Sequence, residues 1–158
     1  MKSWAYSNNV PYVGFRYFNI YSERQGLGAF YTQVFQKWIH AINNGEEITM
    51  YGDGEQTLDL VHSSDAARAN ILALFNDKVK NEHFNVGTGI ETSVNKLAEI
   101  IAGVLTGIHI EYLPERDIDN IRRRSTDIEK IRKGLGWSPK FNIKMGIEKT
   151  IQWYKNTL

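Results

Sequence analysis

Two hydrophobic periods alternate along this chain, one typical of helices and one typical of strands. Residues 28 to 43 and 94 to 105 repeat apolar side chains at helical spacing. Residues 10 to 19, 48 to 52, 83 to 87 and 110 to 113 are short runs rich in β-branched and aromatic residues, which predict strands. The pattern therefore predicts a mixed α/β fold, with a largely buried strand over 10 to 19.

The predicted helices carry recognisable start and stop signals. Asp65 is the predicted N-cap of a helix that runs to about Phe75. Thr92 or Ser93 is the predicted N-cap of the next helix. Asp127 is predicted to cap a short helix that ends near Gly134. A Gly-Trp-Ser-Pro turn then introduces a last amphipathic helix.

Composition excludes several classes of function. The chain has 158 residues, 42% of them hydrophobic, and a formal net charge of +1, so it has the length of one domain and no global attraction for nucleic acid. The absence of cysteine excludes disulfides and thiolate sites. The histidines lack metal-binding spacing, so no metal site is expected. Apolar runs are short, no membrane partner is expected, and a cytoplasmic location is predicted.

Four sequence blocks in one order carry a family resemblance. They are GFRYFNIYSERQ (14 to 25), ITMYGDGEQTLDLVHSSDAARA (48 to 69), FNVGTGIETSVNKLAEII (84 to 101) and GWSPKFNIKMGIEKTIQWY (136 to 154). Together they resemble the extended short-chain dehydrogenase/reductase family, specifically NAD-dependent nucleotide-sugar epimerases of the UDP-glucose 4-epimerase type. The resemblance implies that residues 1 to 158 form one C-terminal substrate-binding domain, including a few strands of an incomplete Rossmann-type sheet.

Two motifs of that family are not found in this sequence. There is no Gly-x-x-Gly-x-x-Gly turn for a dinucleotide, and no tyrosine has a lysine four residues on; Tyr12 is followed at that spacing by Arg16. We therefore expect no catalytic residues, no tight binding of NAD and no redox chemistry in the isolated chain, although the resemblance implies NAD in the complete enzyme. The chain is expected to be a truncated protein, a gene fragment or half of a split enzyme.

The resemblance implies a site for a nucleotide-sugar such as a UDP-sugar. Pro114-Glu115-Arg116-Asp117-Ile118-Asp119 is similar to the family's Pro-x-Arg-x-x-Asp, in which the arginine pairs with the diphosphate and the aspartate with a ribose hydroxyl. Arg116 and Asp119 are therefore predicted substrate-binding residues. A charged, solvated loop is the alternative.

Three further residues are candidates by the same resemblance. Asn19, at the carboxyl end of the first strand, would donate its amide to the diphosphate, or else stabilise a turn. Tyr51 would pack on the base, or else only on its neighbours. Tyr17 would lie near the nicotinamide as a cofactor-binding residue, or else belong to the core. We expect Asn19, Arg116 and Asp119 to converge on one anion-binding cleft.

One departure from the family pattern leaves the function open. Many relatives have an arginine in a Gln-Thr-Arg-Asp run, where this chain has Gln56-Thr57-Leu58-Asp59, so one phosphate ligand is missing. The alternatives are a non-catalytic binding or assembly module and half of a split epimerase or dehydratase. Bare edges of the incomplete sheet predict self-association or pairing with an NAD-binding domain.

Overall fold

The computed structural model describes residues 2–25, 34–106, 108–115, 117 and 121–157. The helices are α1 (Lys2–Ser7), α2 (Val34–Asn43), α3 (Ser63–Leu74), α4 (Val94–Ala102), α5 (Glu129–Leu135) and α6 (Ile143–Thr157). The strands are β1 (Val13–Tyr17), β2 (Asn19–Tyr21), β3 (Ile48–Tyr51), β4 (Thr57–Leu58), β5 (Leu60–His62), β6 (Glu82–Val86), β7 (Thr92–Ser93) and β8 (Ile110–Leu113). Residues 28 to 33 of the predicted first helix lie outside the described residues.

The described strands associate in pairs, and most of the pairs are parallel. β1 pairs with β6, β2 with β5 and β3 with β8 in parallel, while β4 and β7 form an antiparallel pair. Helices follow or precede these strands along the chain, as parallel pairing requires. The predicted mixed α/β class is confirmed.

The predicted strand over residues 10 to 19 is two strands with different partners. The Phe18 amide still donates to Val86 O (2.9 Å), but the Asn19 amide donates to Asp59 O (3.2 Å), so the chain changes partner here. Asn19 therefore begins β2 rather than ending the first strand. The prediction of a largely buried strand is also wrong at Arg16 and Tyr17, which are exposed at the end of β1.

Two apolar cores lie on opposite sides of β5. Leu60 packs in the larger core with residues of α2, α4 and α6, and the next residue, Val61, packs in the smaller core with α3, α5 and β6. Successive side chains of a strand point to opposite faces, so β5 separates the two cores. The predicted apolar face of α4, which is Val94, Leu97, Ala98 and Ile101 together with Leu105 beyond the helix end, is buried in the larger core.

The helix starts follow the predictions at some positions and not at others. Ser93 caps α4 by accepting the Lys96 amide (3.1 Å), as predicted. Asp127 accepts the Glu129 amide (2.8 Å) at the start of α5, which ends at Leu135 rather than Gly134. Asp65 is not the N-cap of α3, because that helix begins at Ser63 and is capped by the His62 side chain.

The buried Asp65 carboxylate instead binds a distant loop. It accepts hydrogen bonds from the backbone amides of Lys140 (2.9 Å to Oδ2) and Phe141 (2.9 Å) and from the Arg68 guanidinium (2.8 Å). Its main-chain carbonyl accepts the indole N–H of Trp137 (2.9 Å). A buried carboxylate requires such donors, and these hold the loop before α6 against α3.

A second buried polar group, His62, joins β5 to the chain after β2. Its Nδ1 accepts the Ser64 amide (3.2 Å), so the proton of the neutral ring lies on Nε2, 3.2 Å from the Glu23 carboxylate. Glu23 also pairs with Lys149 on α6 (2.8 Å), and the His62 ring stacks on Phe141. Burial lowers the pKa of His62 more than the Glu23 carboxylate raises it.

No helix in the described part of the chain combines the length and apolar character needed to cross a membrane.

The His62 arrangement predicts acid sensitivity. Because the folded protein binds a proton at His62 less readily than the unfolded chain does, stability is fully retained above the unfolded pKa of about 6.5 and falls as pH drops below it. We expect a loss of up to about 1.4 kcal/mol in the free energy of unfolding by pH 5.5. Urea denaturation at pH 7.5 and 5.5 measures it. His62→Gln should flatten the dependence and His109→Gln, at an exposed site, should not; equal slopes in both variants would contradict the interpretation.

Candidate functional site

Asn19 lies where the chain passes from β1 to β2. Its backbone amide and its side-chain Nδ2 both donate to Asp59 O, each at 3.2 Å. The side chain is half-buried. An asparagine amide has two N–H groups and a carbonyl, so these bonds orient the side chain while leaving hydrogen-bonding capacity for a ligand.

The carboxylate of Asp59 is completely buried and accepts four hydrogen bonds. Oδ1 accepts the amide and the hydroxyl of Thr88, both at 2.6 Å, while Oδ2 accepts the amides of Gly89 (2.9 Å) and Thr126 (3.1 Å). Gly87 allows this approach, because a Cβ there would lie 2.2 Å from Thr126 Oγ1 and 2.8 Å from Asp59 Oδ2. Asp59 thus joins the Asn19 strand, the 87 to 89 turn and the chain at residue 126.

Tyr51 ends β3 next to the chain that leads to the predicted diphosphate-binding motif. It is paired in register with Leu113 at the end of β8, and the Gly52 amide donates to Leu113 O (2.9 Å). The Tyr51 side chain is half-buried. Tyr51 is therefore close to the start of the segment that contains Arg116.

Arg116 and Asp119 lie outside the described residues. Their convergence with Asn19 accordingly stays a prediction. The structure describes the residues on either side of them, 113 to 115 and 121 to 126. These residues define the two ends of the segment from 114 to 121.

After this segment, residues 121 to 126 are hydrogen-bonded to the turn after β3 and to β4. The Arg122 guanidinium makes two hydrogen bonds to Asp53 (2.8 and 2.9 Å), and Arg122 O accepts the Thr57 amide (2.9 Å). Arg123 makes two hydrogen bonds to Glu91 (3.0 and 2.6 Å). The Arg122 hydrogen bonds, together with the Glu55 amide, lower the pKa of Asp53 to about 2.

These contacts show what the arginine run does in this fold. Arg122 and Arg123, which belong to the three consecutive arginines at 122 to 124, are exposed and paired with carboxylates. Both ends of the segment from 114 to 121 are held by residues 51 to 59. The described ends of that segment lie beside Tyr51, and Asp59 connects Asn19 to the same stretch of chain. That these residues form one site with Arg116 and Asp119 stays a prediction.

Leu58 is the residue of the Gln56-Thr57-Leu58-Asp59 run where the family resemblance implies an arginine. Its half-buried side chain packs against the larger core. The apolar residue thus contributes to packing, and it supplies no cation at this position of β4.

Tyr17 offers limited support for a dinucleotide. Its ring is 39% exposed, so it is not a core residue, and its hydroxyl is hydrogen-bonded to Asn70 on α3 (2.7 Å from Asn70 Nδ2). One half-exposed aromatic ring could pack on a nicotinamide, but the sequence has no glycine-rich turn for the pyrophosphate. The residues present do not form a complete NAD site. Its cofactor role stays a prediction.

Two cavities lie elsewhere on the described surface. One of about 750 Å³ is formed by α1, residues 9 to 12 and residues 80 and 81. Another, of about 550 Å³, lies between β1 and the end of α3. Neither includes Asn19 or Tyr51. In the described part of the chain, no group of three or more potential ligands could hold a metal ion.

Sequence reasoning missed Asp59, Asp53 and Glu91 as residues that organise this site. Their partners are 29 to 69 residues away along the chain. The one signal in the sequence is Gly52-Asp53-Gly54, which is typical of a tight turn and does not reveal the partner of the carboxylate.

Comparison with known proteins adds the family context. The family model described as "NAD dependent epimerase/dehydratase family" matches residues 1–87. A putative UDP-glucose 4-epimerase of Methanocaldococcus jannaschii is 36% identical over 148 residues, which are 93% of this chain and 47% of that protein. The chain thus spans about half the length of the curated relatives it matches.

Solved structures share the fold. The UDP-glucose 4-epimerase of Thermotoga maritima, solved with UDP-glucose, has a TM-score of 0.90 and 32% identity, covering 99% of this chain and 50% of that one. The UDP-glucose 4-epimerase of Thermus thermophilus, solved in complex with NAD, has a TM-score of 0.85 and 25% identity, with coverage of 99% and 50%.

The Asp59 network predicts the energetic cost of disrupting the site. In Asp59→Ala, one buried backbone amide (Thr126) and two partly buried ones (Thr88 and Gly89) lose their acceptor, and each loss of a buried partner costs about 1–3 kcal/mol. We expect the free energy of unfolding to fall by about 3 kcal/mol or more, measured by denaturant titration. Asp127→Ala, which removes one exposed cap, is the matched control, and equal small losses in the two variants would contradict the role of Asp59.

Proposed function

This chain belongs to the NAD dependent epimerase/dehydratase family, and we propose that it supplies the nucleotide-sugar-binding part of an enzyme resembling UDP-glucose 4-epimerase. The observation that carries the proposal is the position of residues 51 to 59. They hold both ends of the segment containing Arg116 and Asp119, and through Asp59 they hold Asn19.

The chemistry of the candidate residues fits a UDP-sugar. Arg116 would pair with the diphosphate, which favours guanidinium and amide donors. Asn19 would donate its amide to the same group, Asp119 would accept a ribose hydroxyl, and Tyr51 would pack on the base. The chain thus contributes affinity and orientation rather than acid–base catalysis.

NAD belongs to the complete enzyme in this proposal. When bound there, it supplies the hydride acceptor for the sugar. The sequence of this chain has neither the glycine-rich turn nor the tyrosine–lysine pair, so we infer that the isolated chain neither binds NAD tightly nor catalyses epimerisation.

A second candidate function is a non-catalytic sugar-nucleotide-binding or assembly module. Leu58 favours it, because an apolar side chain packs where many relatives have a phosphate ligand. Half of a split epimerase or dehydratase is the third candidate, and it would require a separate NAD-binding domain.

Calorimetric titration with UDP-glucose, with and without NAD, tests the first proposal. The chain should bind UDP-glucose, and Arg116→Ala should weaken binding at least about tenfold, since a hydrogen bond to a charged group contributes about 1.5–3 kcal/mol. Arg132→Ala, which removes an exposed arginine paired with Glu129 on α5, is the control and should bind normally. Absence of UDP-glucose binding would contradict the proposal and favour the assembly module.

The edge of β1 supports a proposal about partners. In the described residues β1 pairs only with β6, so its other edge presents unpaired backbone groups. Leu74, at the end of α3, lines a cavity together with Val13 and Phe15 of β1 and is 77% exposed, and the next residue, Phe75, is 80% exposed. We propose that this face associates with a second copy of the chain or with an NAD-binding domain.

Light scattering over a range of concentrations tests the association. The mass of the isolated chain should rise with concentration, and Leu74→Lys should reduce the rise because it places a charge on the apolar face. Met145→Lys, at an exposed position of α6, should leave it unchanged. A monomer at every concentration would contradict self-association.

A further inference from the structure

We propose that Asn44 is a site of spontaneous covalent modification, at which Asn44-Gly45 closes to a cyclic succinimide and opens to aspartate and isoaspartate while the chain is folded. The inference does not depend on the proposed function. It rests on the contrast between this site, which lies just after α2, and a chemically similar site, Asp53-Gly54, which the fold protects.

Two places in the sequence combine an asparagine or an aspartate with a following glycine. They are Asn44-Gly45 and Asp53-Gly54. Asparagine is a thermolabile residue, and a following glycine favours the reaction because it has no Cβ and the most freedom of backbone conformation. The sequence identifies both candidates, and the structure distinguishes between them.

The reaction needs water as its one co-reactant. The Gly45 nitrogen attacks Cγ of Asn44, the N–Cγ bond closes the ring, and the Cγ–Nδ2 bond breaks. The amide proton of Gly45 passes through solvent to Nδ2, which leaves as ammonia. Water then opens the ring at either carbonyl carbon: attack at Cγ gives aspartate, and attack at the main-chain carbon gives isoaspartate, in which the main chain runs through Cγ.

Asn44 and Gly45 are accessible to this chemistry. Both residues are exposed, and a Cβ built on Gly45 would meet no atom within 4 Å. The side-chain amide of Asn44 lies 3.1 Å from Nε2 of His40, one turn earlier, in a contact that is itself exposed. The ring can therefore form without displacing a packed neighbour of Gly45.

The hydrogen bonds at the end of α2 are local. The Asn44 amide donates to Ala41 O (3.0 Å) and the Gly45 amide to Ile42 O (3.1 Å), with Gly45 at a φ of 71°. A left-handed glycine is a common way to end a helix, and helix ends open at little cost in free energy. Such opening releases the Gly45 nitrogen from Ile42 O while the two cores remain intact.

Asp53-Gly54 is closed by comparison. The Asp53 carboxylate accepts two hydrogen bonds from the Arg122 guanidinium (2.8 and 2.9 Å) and one from the Glu55 amide (2.9 Å). These bonds lower the pKa of Asp53 to about 2, and an ionised carboxylate resists attack by a nucleophile at its carbon. Gly54 is buried, and a Cβ there would lie 2.2 Å from Asn95 Oδ1, so the turn has no room to rearrange into the ring.

The modification should weaken the end of a helix that supplies the larger core. Trp38 and Ile39 of α2 are buried there. Both products add a negative charge beside the C-terminal end of α2, which opposes the helix dipole. Asn44→Asp, which reproduces the charge, should lower the thermal midpoint by about 1–4 °C, whereas Asn44→Gln, which keeps the amide, should not. Equal midpoints in the two variants would overturn this consequence.

Incubation of the folded chain at mildly alkaline pH, followed by digestion and mass spectrometry, tests the modification itself. A glutamate-specific protease separates the two sites, because Glu46 and Glu47 lie between them. The peptide that contains Asn44 should gain the mass difference between an amide and an acid and divide into two chromatographic forms. Asn44→Gln should abolish this change, since a longer side chain closes the ring far more slowly. Asn43→Gln, at the neighbouring asparagine, is the matched control and should leave the rate unchanged.

The urea-unfolded chain is the reference in which both sites are open. There Asn44 should convert and isoaspartate should also appear at Asp53, whereas in the folded chain only Asn44 should convert. An unmodified Asn44 in the folded chain, over the time in which the unfolded chain converts, would overturn the inference. Equal formation of isoaspartate at Asp53 in the folded and unfolded chains would overturn the distinction between the two sites. Neither outcome depends on whether the chain binds UDP-glucose.

Discussion

The buried carboxylate of Asp59 is the interaction on which the candidate site depends. A carboxylate without solvent is stable only when donors surround it, and here the donors come from Thr88, Gly89 and Thr126, while the carbonyl of the same residue accepts both donors of Asn19. The start of β2, the turn after β6 and the chain before α5 are consequently fixed relative to one another. The position of Asn19 is therefore set by the fold rather than by a ligand.

The buried carboxylate of Asp65, in the helix that follows β5, likewise holds distant parts of the chain together. It binds the loop before α6, and that helix in turn holds the chain after β2 through Lys149 and Glu23. Two buried carboxylates, one just before β5 and one in α3 just after it, thus hold distant loops against this part of the fold. The ion pairs at Asp53 and Glu91 are made by exposed arginines by contrast, and they join residues 122 and 123 to the turn after β3 and to the chain before β7.

The local pattern of apolar and polar residues predicted most helices and strands of this fold, because helical and strand periods depend only on residues close together in the sequence. The Ser93 cap and the buried face of α4 are examples. Prediction failed where hydrogen bonds to residues far away in the sequence decide the outcome. The change of strand partner after Phe18 depends on the hydrogen bond of the Asn19 amide to Asp59 O. The Asp65 carboxylate accepts the amides of residues 140 and 141 rather than capping the start of its own helix. The resemblance predicted Asn19, Tyr51, Arg116 and Asp119 as site residues, and this stays a prediction, whereas the contacts of Asp53, Asp59 and Glu91 could be identified only from the structure.

The most direct measurement of the central claim is a titration of the isotopically labelled chain with UDP, followed by amide chemical shifts. Binding at the proposed site should move the resonances of Asn19, of Tyr51 and of residues 113 to 124, with small changes at the Asp59-bound amides of Thr88 and Gly89. Shifts confined to another surface, such as the cavity beside α1, or no shifts at millimolar UDP, would contradict the account.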